Sequence, residues 1–152
     1  MKSCLKMFIL SIVIFITSCK EKNEPLVACL DIYHPMVSNI NYKDSNGKEL
    51  IFADNPRYPA ADIKIYKIDI NDRETPLSFT VNKELKFISI NLDKVEDGTF
   101  YIQLKSDVQD KITYTAKIDA NDPCKDYKLQ EIKQNDIIGQ YDQKNQIWIL
   151  KK

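Results

Sequence analysis

The sequence predicts an all-β fold, and three observations carry this prediction. From Ala28 onward, short runs rich in isoleucine, tyrosine, phenylalanine and valine are separated by Asn, Asp, Gly and Pro, which is the spacing of strands and turns. No window of useful length shows the 3.6-residue apolar period of an amphipathic helix, so we expect little helix. Three runs alternate apolar with polar residues, as half-buried strands do. Their apolar positions are Leu77, Phe79 and Val81; Phe100, Ile102 and Leu104; and Ile112, Tyr114, Ala116 and Ile118.

The N-terminal segment has the organisation of a secretory signal. Lys2 and Lys6 precede an apolar stretch, residues 7–16, and small residues follow it. A membrane-spanning helix needs about 20 apolar residues, so this stretch is too short for a permanent span. We therefore predict that residues 1–18 are a signal peptide.

The end of this segment is Ile16-Thr17-Ser18-Cys19. It resembles the lipobox of bacterial lipoproteins, in which an aliphatic residue and two small residues precede an invariant cysteine. The resemblance implies that the thiol of Cys19 takes up a diacylglycerol and that Cys19 becomes the acylated N-terminus after cleavage. Each buried lipid methylene contributes about 0.8 kcal/mol, so several acyl chains hold a protein on a membrane. The alternatives are an ordinary secretory signal that ends in a chance cysteine, or a degraded transmembrane helix.

The residues after the lipobox predict a tether. Residues 19–27 are mostly polar and charged and include Pro25, so they bury too little apolar area to fold. Lys20, in place of an aspartate, resembles the pattern of lipoproteins sorted to the outer membrane. We expect a lipid-anchored outer-membrane protein, on the periplasmic face or the cell surface, with residues 28–152 as a single domain.

The first strands are predicted around an Asn-Gly turn. Residues 36–43 are expected to turn at Asn46-Gly47, where a positive φ is required, and to return through residues 50–53 as a hairpin. Further along, residues 96–98 are expected to turn into the strand that contains Phe100.

The later strands complete the predicted sandwich. The apolar phase switches within residues 62–70 and 85–92, which predicts a β-bulge or a strand that leaves one sheet for the other. Residues 127–132 and 146–150 read as the last strands, joined by a turn over residues 135–142. We favour an immunoglobulin-like or related antiparallel β-sandwich of about eight strands over a closed barrel.

Cysteine usage agrees with an exported protein. Cys4 lies in the signal peptide and Cys19 would carry lipid, which leaves Cys29 and Cys124 in the folded part. An even pair in an oxidising compartment is most simply an intramolecular disulfide. Two buried free thiols or an intermolecular bridge are the alternatives.

The charge balance excludes one class of partner. The chain has 22 basic and 22 acidic residues, and removal of the signal peptide takes away Lys2 and Lys6, leaving a net charge of −2. Nucleic-acid binding requires clustered positive charge, so we expect no nucleic-acid partner.

The search for a catalytic or metal site finds little. His34 is the only histidine and the chain has three glycines, so a His-based triad, a nucleophile elbow and a phosphate loop are not expected. Residues 119–126 are rich in Asp and Asn, which suits calcium, but the glycine and the terminal glutamate of an EF-hand are missing. Such loops are also ordinary turn chemistry. We predict a protein that is not an enzyme and that has no metal and no cofactor.

Two aromatic residues are weighed as binding groups. Tyr58 lies in the loop Asn55-Pro56-Arg57-Tyr58-Pro59, where an exposed ring would be able to stack on a sugar. The preferred interpretation is that Tyr58 pins the loop to the sandwich. Trp148 lies in a run that is apolar on both faces and is predicted to be in the core.

Several features occur together along the mature chain. They are Cys19, the polar tether, Asn46-Gly47 followed by Leu50-Ile51-Phe52, Ile63-Lys64-Ile65-Tyr66, residues 100–104 with Asp107 and Asp110-Lys111-Ile112, and Cys124. The combination resembles the small single-domain lipoproteins of Bacteroidetes-type bacteria. Most members of that set have no assigned activity, so the resemblance carries over no functional residue beyond Cys19.

Three functional hypotheses follow. The first is a non-catalytic binding or scaffolding module that contacts a glycan or a protein of the envelope. The second is a small periplasmic inhibitor or immunity-type protein that blocks an envelope-attacking hydrolase through a loop. The third is a hydrolase whose carboxylate pair cannot be recognised in a linear sequence.

Overall fold

The computed structural model describes residues 35–152, which belong to one unit, Asp31–Lys152. The predictions for the signal peptide, Cys19, the tether, Cys29 and His34 fall on residues 1–34 and lie outside the described residues. Within residues 35–152 no helix is long and apolar enough to cross a membrane.

The described chain forms eleven strands and one short 3₁₀ turn. The strands are β1 Met36–Lys43, β2 Lys64–Ile68, β3 Glu74–Pro76, β4 Phe79–Asn82, β5 Phe87–Leu92, β6 Asp97–Lys105, β7 Val108–Ile118, β8 Tyr127–Gln134, β9 Ile137–Ile138, β10 Gln140–Asp142 and β11 Ile147–Lys151, and the 3₁₀ turn is Ala60–Asp62. The all-β prediction is confirmed. The number of strands exceeds the predicted eight because short edge strands, such as β3, β9 and β10, accompany the longer ones.

The strands form the two sheets of a β-sandwich. One sheet has the order β10-β11-β1-β5-β4 and the other has the order β3-β2-β6-β7-β8-β9. Neighbouring strands are antiparallel, except that β1 and β11 run parallel with Ile40 opposite Trp148. The inward faces of both sheets supply one apolar core, which includes Ile40, Ile90, Ile102 and Ile112.

Two of the three alternating runs lie in strands, as predicted, and the first does so in part, because Leu77 lies between β3 and β4 while Phe79 and Val81 lie in β4. Phe100, Ile102 and Leu104 are buried in β6, and Ile112, Tyr114 and Ala116 are buried in β7. The prediction that Ile118 also faces the core is wrong. Ile118 is the last residue of β7 and is 48% exposed, because the strand extends there beyond the core.

The predicted hairpin after β1 forms only in part. Of the Asn46-Gly47 pair expected to supply positive φ angles, Gly47 has a φ of 83° and Asn46 does not have a positive φ, and Glu49 pairs with Lys43 in an isolated bridge. Residues 50–53 do not continue as a strand, contrary to the prediction. The edge of β1 that they would need is already taken by β5 up to Ile40, so Leu50 and Ile51 enter the core as part of a loop.

The phase switches have another cause than the predicted bulges. In β2, Ile65 faces the core while Tyr66 stacks on Tyr101 with ring centroids 5.6 Å apart, and Ile70 is fully exposed in the following turn. The second apolar set therefore lies on the outer face, and the pairing of β2 with its neighbours shows no register shift. In residues 85–92 the switch marks the end of a turn, because β5 begins at Phe87.

Two of the predicted turns are also strands. Gly98, expected in a turn, lies inside β6 opposite Tyr114. The segment 135–142 contains a tight turn at Asn135 and Asp136, followed by β9 and β10. Between these two strands, at Gly139, the chain crosses from one sheet to the other.

The pairing defines two ends of the sandwich. The entry end holds the start of β1, the 119–126 loop and the 143–146 turn, because Pro35 to Asn39 share a cleft with Asp126 to Leu129 and Gln146. The far end holds the long 44–63 connection, the 83–86 turn and Lys152.

Candidate functional site

A cleft opens between the two sheets at the entry end, and we call it the inter-sheet cleft. It has a volume of about 510 Å³ and is lined by residues 35–39, residues 126–129, Tyr141, Gln146 and Trp148. Ligand pockets typically measure roughly 300–1,000 Å³, so this cleft is large enough for a small molecule or a side-chain cluster. Four strands, β1, β8, β10 and β11, bring these residues together.

An aromatic pair forms one wall of the cleft. Tyr141 in β10 lies directly opposite Trp148 in β11, and their ring centroids are 4.8 Å apart with a tilt of 40°. Tyr141 is 44% exposed, whereas Trp148 is 7% exposed. The cleft therefore offers an accessible ring that is held in place by a packed one. Trp148 is the only tryptophan in the sequence.

Ser38 lines this cleft and has a buried, unpaired hydroxyl. It occupies an inward-facing position of β1 between Met36 and Ile40 and is 1% exposed. Within the described chain its Oγ has no hydrogen-bond partner. A buried polar group without a partner costs about 1–3 kcal/mol. Such a group finds its partner outside the chain, in a buried water or in a bound polar ligand.

Other buried polar atoms without a partner lie elsewhere. They are Asn41 Oδ1, Tyr42 Oη and Glu49 Oε2, and none of these residues lines the inter-sheet cleft. Ser38 therefore combines an unpaired buried hydroxyl with a position in the wall of the cleft.

The rim of the cleft is polar and balanced in charge. The Asn39 side-chain amide donates to the Gln146 backbone carbonyl at 3.3 Å, which holds the start of β1 beside the 143–146 turn. Asp126 forms an ion pair with Lys94 at 2.6 Å, and Lys128 is exposed. The described lining thus carries one carboxylate and one ammonium group, with two amide side chains beside them.

The far end contains a second, more apolar cleft of about 590 Å³. Its lining includes Ile51, Phe52, Pro59 and Val81, with Asp54 and Lys83 also present. Tyr58 is 1% exposed and its backbone N–H donates to the Leu50 carbonyl at 3.0 Å. Its buried ring therefore anchors the 44–63 connection to the sandwich.

A network of side chains surrounds Asp110 at the same end. Asp110 is fully buried and accepts hydrogen bonds from Gln134 Nε2 at 3.0 Å, Asn135 Nδ2 at 2.8 Å and Lys152 Nζ at 2.5 Å. Burial, followed by the charge of Asp110, raises the pKa of the Tyr42 hydroxyl well above 10.0. The donors around Asp110 come from β8, its following turn and the end of the chain, and they fix these segments to β7.

The residues predicted from the sequence have different outcomes. The prediction that Tyr58 pins its loop is confirmed, and so is the placement of Trp148 in the core, although Trp148 also lines the inter-sheet cleft. In the 119–126 loop, Asp119 accepts from the Asn121 N–H and Asp122 from the Cys124 N–H. Among residues 35–152 there is no group of three His, Cys, Asp or Glu side chains arranged to hold a metal ion.

Sequence reasoning missed most of the inter-sheet cleft. Ser38, Asn39, Tyr141 and Gln146 were not singled out. One signal was present, because Ser38 interrupts an apolar alternation between Met36 and Ile40 and a polar residue there faces inward. The other residues are polar or aromatic side chains at strand ends and turns, where such residues are ordinary.

Comparison of the chain with models of protein families, with curated proteins and with solved structures found no match. The function is therefore argued from the cleft and its chemistry.

Proposed function

We propose that the protein is a lipid-anchored, non-catalytic binding module of the outer membrane and that its ligand occupies the inter-sheet cleft. The observation that carries the proposed site is the unpaired, 1% exposed hydroxyl of Ser38 in a cleft of about 510 Å³. A ligand hydroxyl, amide or carbonyl in the cleft supplies the missing hydrogen bond. The ligand belongs to the envelope, as a glycan or a protein.

The anchor is part of this proposal. Cys19 carries the lipid, and residues 19–27 hold the domain away from the membrane surface. The lipobox-like sequence 16–19 supports this assignment. A disulfide between Cys29 and Cys124 then ties the segment that precedes β1 to the 119–126 loop. In support of the disulfide, Cys29 and Cys124 are an even pair outside the predicted signal peptide and the lipidated Cys19.

The charges of the cleft support a non-catalytic role. Glycoside hydrolysis commonly uses two carboxyl groups on either side of the scissile bond. Within its described lining, the inter-sheet cleft has one carboxylate, Asp126, and this group is paired with Lys94. The arrangement suits recognition of a ligand better than acid–base chemistry on it.

The site is tested by photo-crosslinking in intact cells. A diazirine amino acid is placed at Val37, which is 49% exposed and lines the cleft, and at Ile70, which is fully exposed in the β2–β3 turn. We expect an adduct of one size from position 37 and none of that size from position 70. Equal labelling from both positions, or no adduct from position 37, would contradict the proposed site.

The anchor is tested separately. Fatty-acid labelling and membrane fractionation of the Cys19→Ala variant are expected to show loss of label and release from the membrane fraction. Retention of the Cys19→Ala protein in membranes would contradict lipid anchoring. Protease treatment of intact cells, with a periplasmic protein as the leakage control, then decides between the cell surface and the periplasmic face.

A further inference from the structure

The geometry points to an uncharged carbohydrate as the ligand of the inter-sheet cleft. This inference rests on the proposed function, since it names the class of ligand that the proposed site binds. Four properties of the cleft carry it: an accessible aromatic face, amide side chains at the rim, a buried hydroxyl and a balanced charge.

The aromatic face suits the apolar side of a sugar ring. A pyranose presents C–H groups on its faces, and these carry partial positive charge, whereas the face of an aromatic ring is negative. Tyr141 is 44% exposed and is held by Trp148 at a centroid distance of 4.8 Å. Its ring is therefore fixed before a ligand arrives, so little side-chain freedom is lost on binding.

The polar groups of the lining suit the hydroxyls of an oligosaccharide, with Ser38 on the inward face of β1 and Asn39 on the other face. A sugar hydroxyl both donates and accepts hydrogen bonds, and it is best matched by side chains that do the same. Asn39 and Gln146 each have an amide with two donors and an acceptor, and Ser38 has a hydroxyl that does both. The Ser38 Oγ is the deepest of these groups, at 1% residue exposure, and has no partner within the described chain.

The charges that line the cleft favour an uncharged ligand over a charged one. Asp126 and Lys128 are the charged residues of the described lining, and Asp126 is already paired with Lys94 at 2.6 Å. A polyanionic ligand needs several cationic groups, and the lining offers one lysine. A purely apolar ligand would leave Ser38, Asn39 and Gln146 without new partners. An uncharged glycan agrees with both observations.

The test uses the full-length protein, purified from membranes in a zwitterionic detergent without a sugar headgroup. Trp148 is the only tryptophan, so intrinsic fluorescence reports on the cleft. The probes are chitotetraose, cellotetraose and maltotetraose, with sialyllactose as the charged comparison. We expect at least one neutral oligosaccharide to change the fluorescence saturably and more strongly than sialyllactose does.

Three variants locate the binding. Tyr141→Ala is expected to raise the dissociation constant about tenfold, since stacking of a ring-shaped ligand on an aromatic side chain typically changes the affinity by at least about that factor. Ser38→Ala is expected to raise the dissociation constant by a smaller factor, about threefold. Tyr101→Ala, on the outer face of β6, is the matched control and is expected to leave binding unchanged.

The outcomes distinguish this inference from the proposed function. If no neutral oligosaccharide binds but the position-37 crosslink forms in cells, the carbohydrate assignment is wrong and the binding site stands. If an oligosaccharide binds equally well to Tyr141→Ala, the sugar lies elsewhere and the assignment is also wrong. If neither sugar binding nor the crosslink occurs, both the ligand class and the proposed function fail.

Discussion

Two inward-facing polar residues, Asp110 and Ser38, have opposite surroundings. Asp110 is fully buried in β7 and accepts three side-chain hydrogen bonds, one of them from the ammonium group of Lys152. Ser38 is 1% exposed in β1 and its hydroxyl has no partner in residues 35–152. Both residues interrupt an apolar alternation, and both lie near an end of the sandwich.

The difference separates a structural role from a binding role. A buried carboxylate is tolerated when donors surround it, and the donors of Asp110 tie together β7, β8 and the chain end. A buried hydroxyl without a partner lowers stability and gains a partner only from outside the chain. The role of a polar residue on the inward face of a sheet is therefore assigned only after its hydrogen-bond partners have been counted.

The largest effect is expected at Asp110. Asp110→Ala leaves three donors without their acceptor, and we expect the free energy of unfolding in urea to fall by about 3–5 kcal/mol. Asp107→Ala, in the preceding turn where the side chain is 70% exposed, is the control and should leave the urea midpoint unchanged. A loss of less than about 1 kcal/mol for Asp110→Ala would remove the contrast with Ser38.

The entry end also contains a tightly packed position, Gly98. A substitution there tests whether the entry end is loosely packed throughout. A Cβ on Gly98 would overlap the Tyr114 ring, which is buried and whose hydroxyl donates to the Asp93 carbonyl at 3.0 Å. We expect Gly98→Ala to lower the free energy of unfolding by about 1–3 kcal/mol. Gly47→Asn is the control, because a Cβ at Gly47, which has a φ of 83°, would have no atom within 4 Å apart from its chain neighbours. This variant should lower the free energy of unfolding much less. Equal losses for both variants would contradict close packing at Gly98.

The third expected effect is a pH dependence at the far end. Burial and the neighbouring Asp110 raise the pKa of Tyr42 above its ordinary value of 10.0. Above pH 10 the unfolded chain loses the tyrosine proton while the folded chain keeps it, so the unfolded state binds fewer protons and stability falls as pH rises. The slope contributed by this group is at most about 1.4 kcal/mol per pH unit. Stability of the Tyr42→Phe variant, measured by urea unfolding from pH 9 to 11, should decline less steeply, and an identical decline would contradict the assignment.

The smallest expected effect is at Ser38, and its sign is the informative part. Ser38→Ala removes a hydroxyl that lacks a partner, so the free energy of unfolding without ligand should stay unchanged or rise by about 1 kcal/mol. Ser89→Ala, at a partly exposed position of β5, is the control. A fall of more than about 1 kcal/mol for Ser38→Ala would mean that the hydroxyl supports the fold, and the contrast with Asp110 would be lost.

The fold was largely predictable because its signals are local. The alternation at Phe100, Ile102 and Leu104 depends only on the two-residue period of a strand, and Gly47 adopts the positive φ that its turn requires. Errors arose where strands compete for an edge. Residues 50–53 do not continue as a strand after the Leu50 N–H bonds to the Tyr42 carbonyl, because β5 occupies that edge of β1 up to Ile40, and nothing in the local sequence indicates this.

The cleft was much less predictable because its parts are distant in sequence. Ser38, Tyr127 and Trp148 meet only after β1 and β11 pair in parallel and β8 packs across them. A parallel pairing between the first and last strands leaves no turn signature, since the whole domain connects them. The unpaired state of Ser38 is a property of its neighbours, so its position in β1 alone indicates burial and not a ligand.

The central position of β1 has a mechanical consequence. In a protein that is anchored through its N-terminus, as we propose, a pull from a bound partner reaches the domain at the start of β1 and, through the proposed disulfide, at the 119–126 loop. This strand is hydrogen-bonded to β5 on one edge and to β11 on the other. Since ladder hydrogen bonds run across the strands, a pull along β1 loads many of them together in shear instead of opening them one at a time. The part of the load that β1 carries is therefore shared between the two strands that flank it.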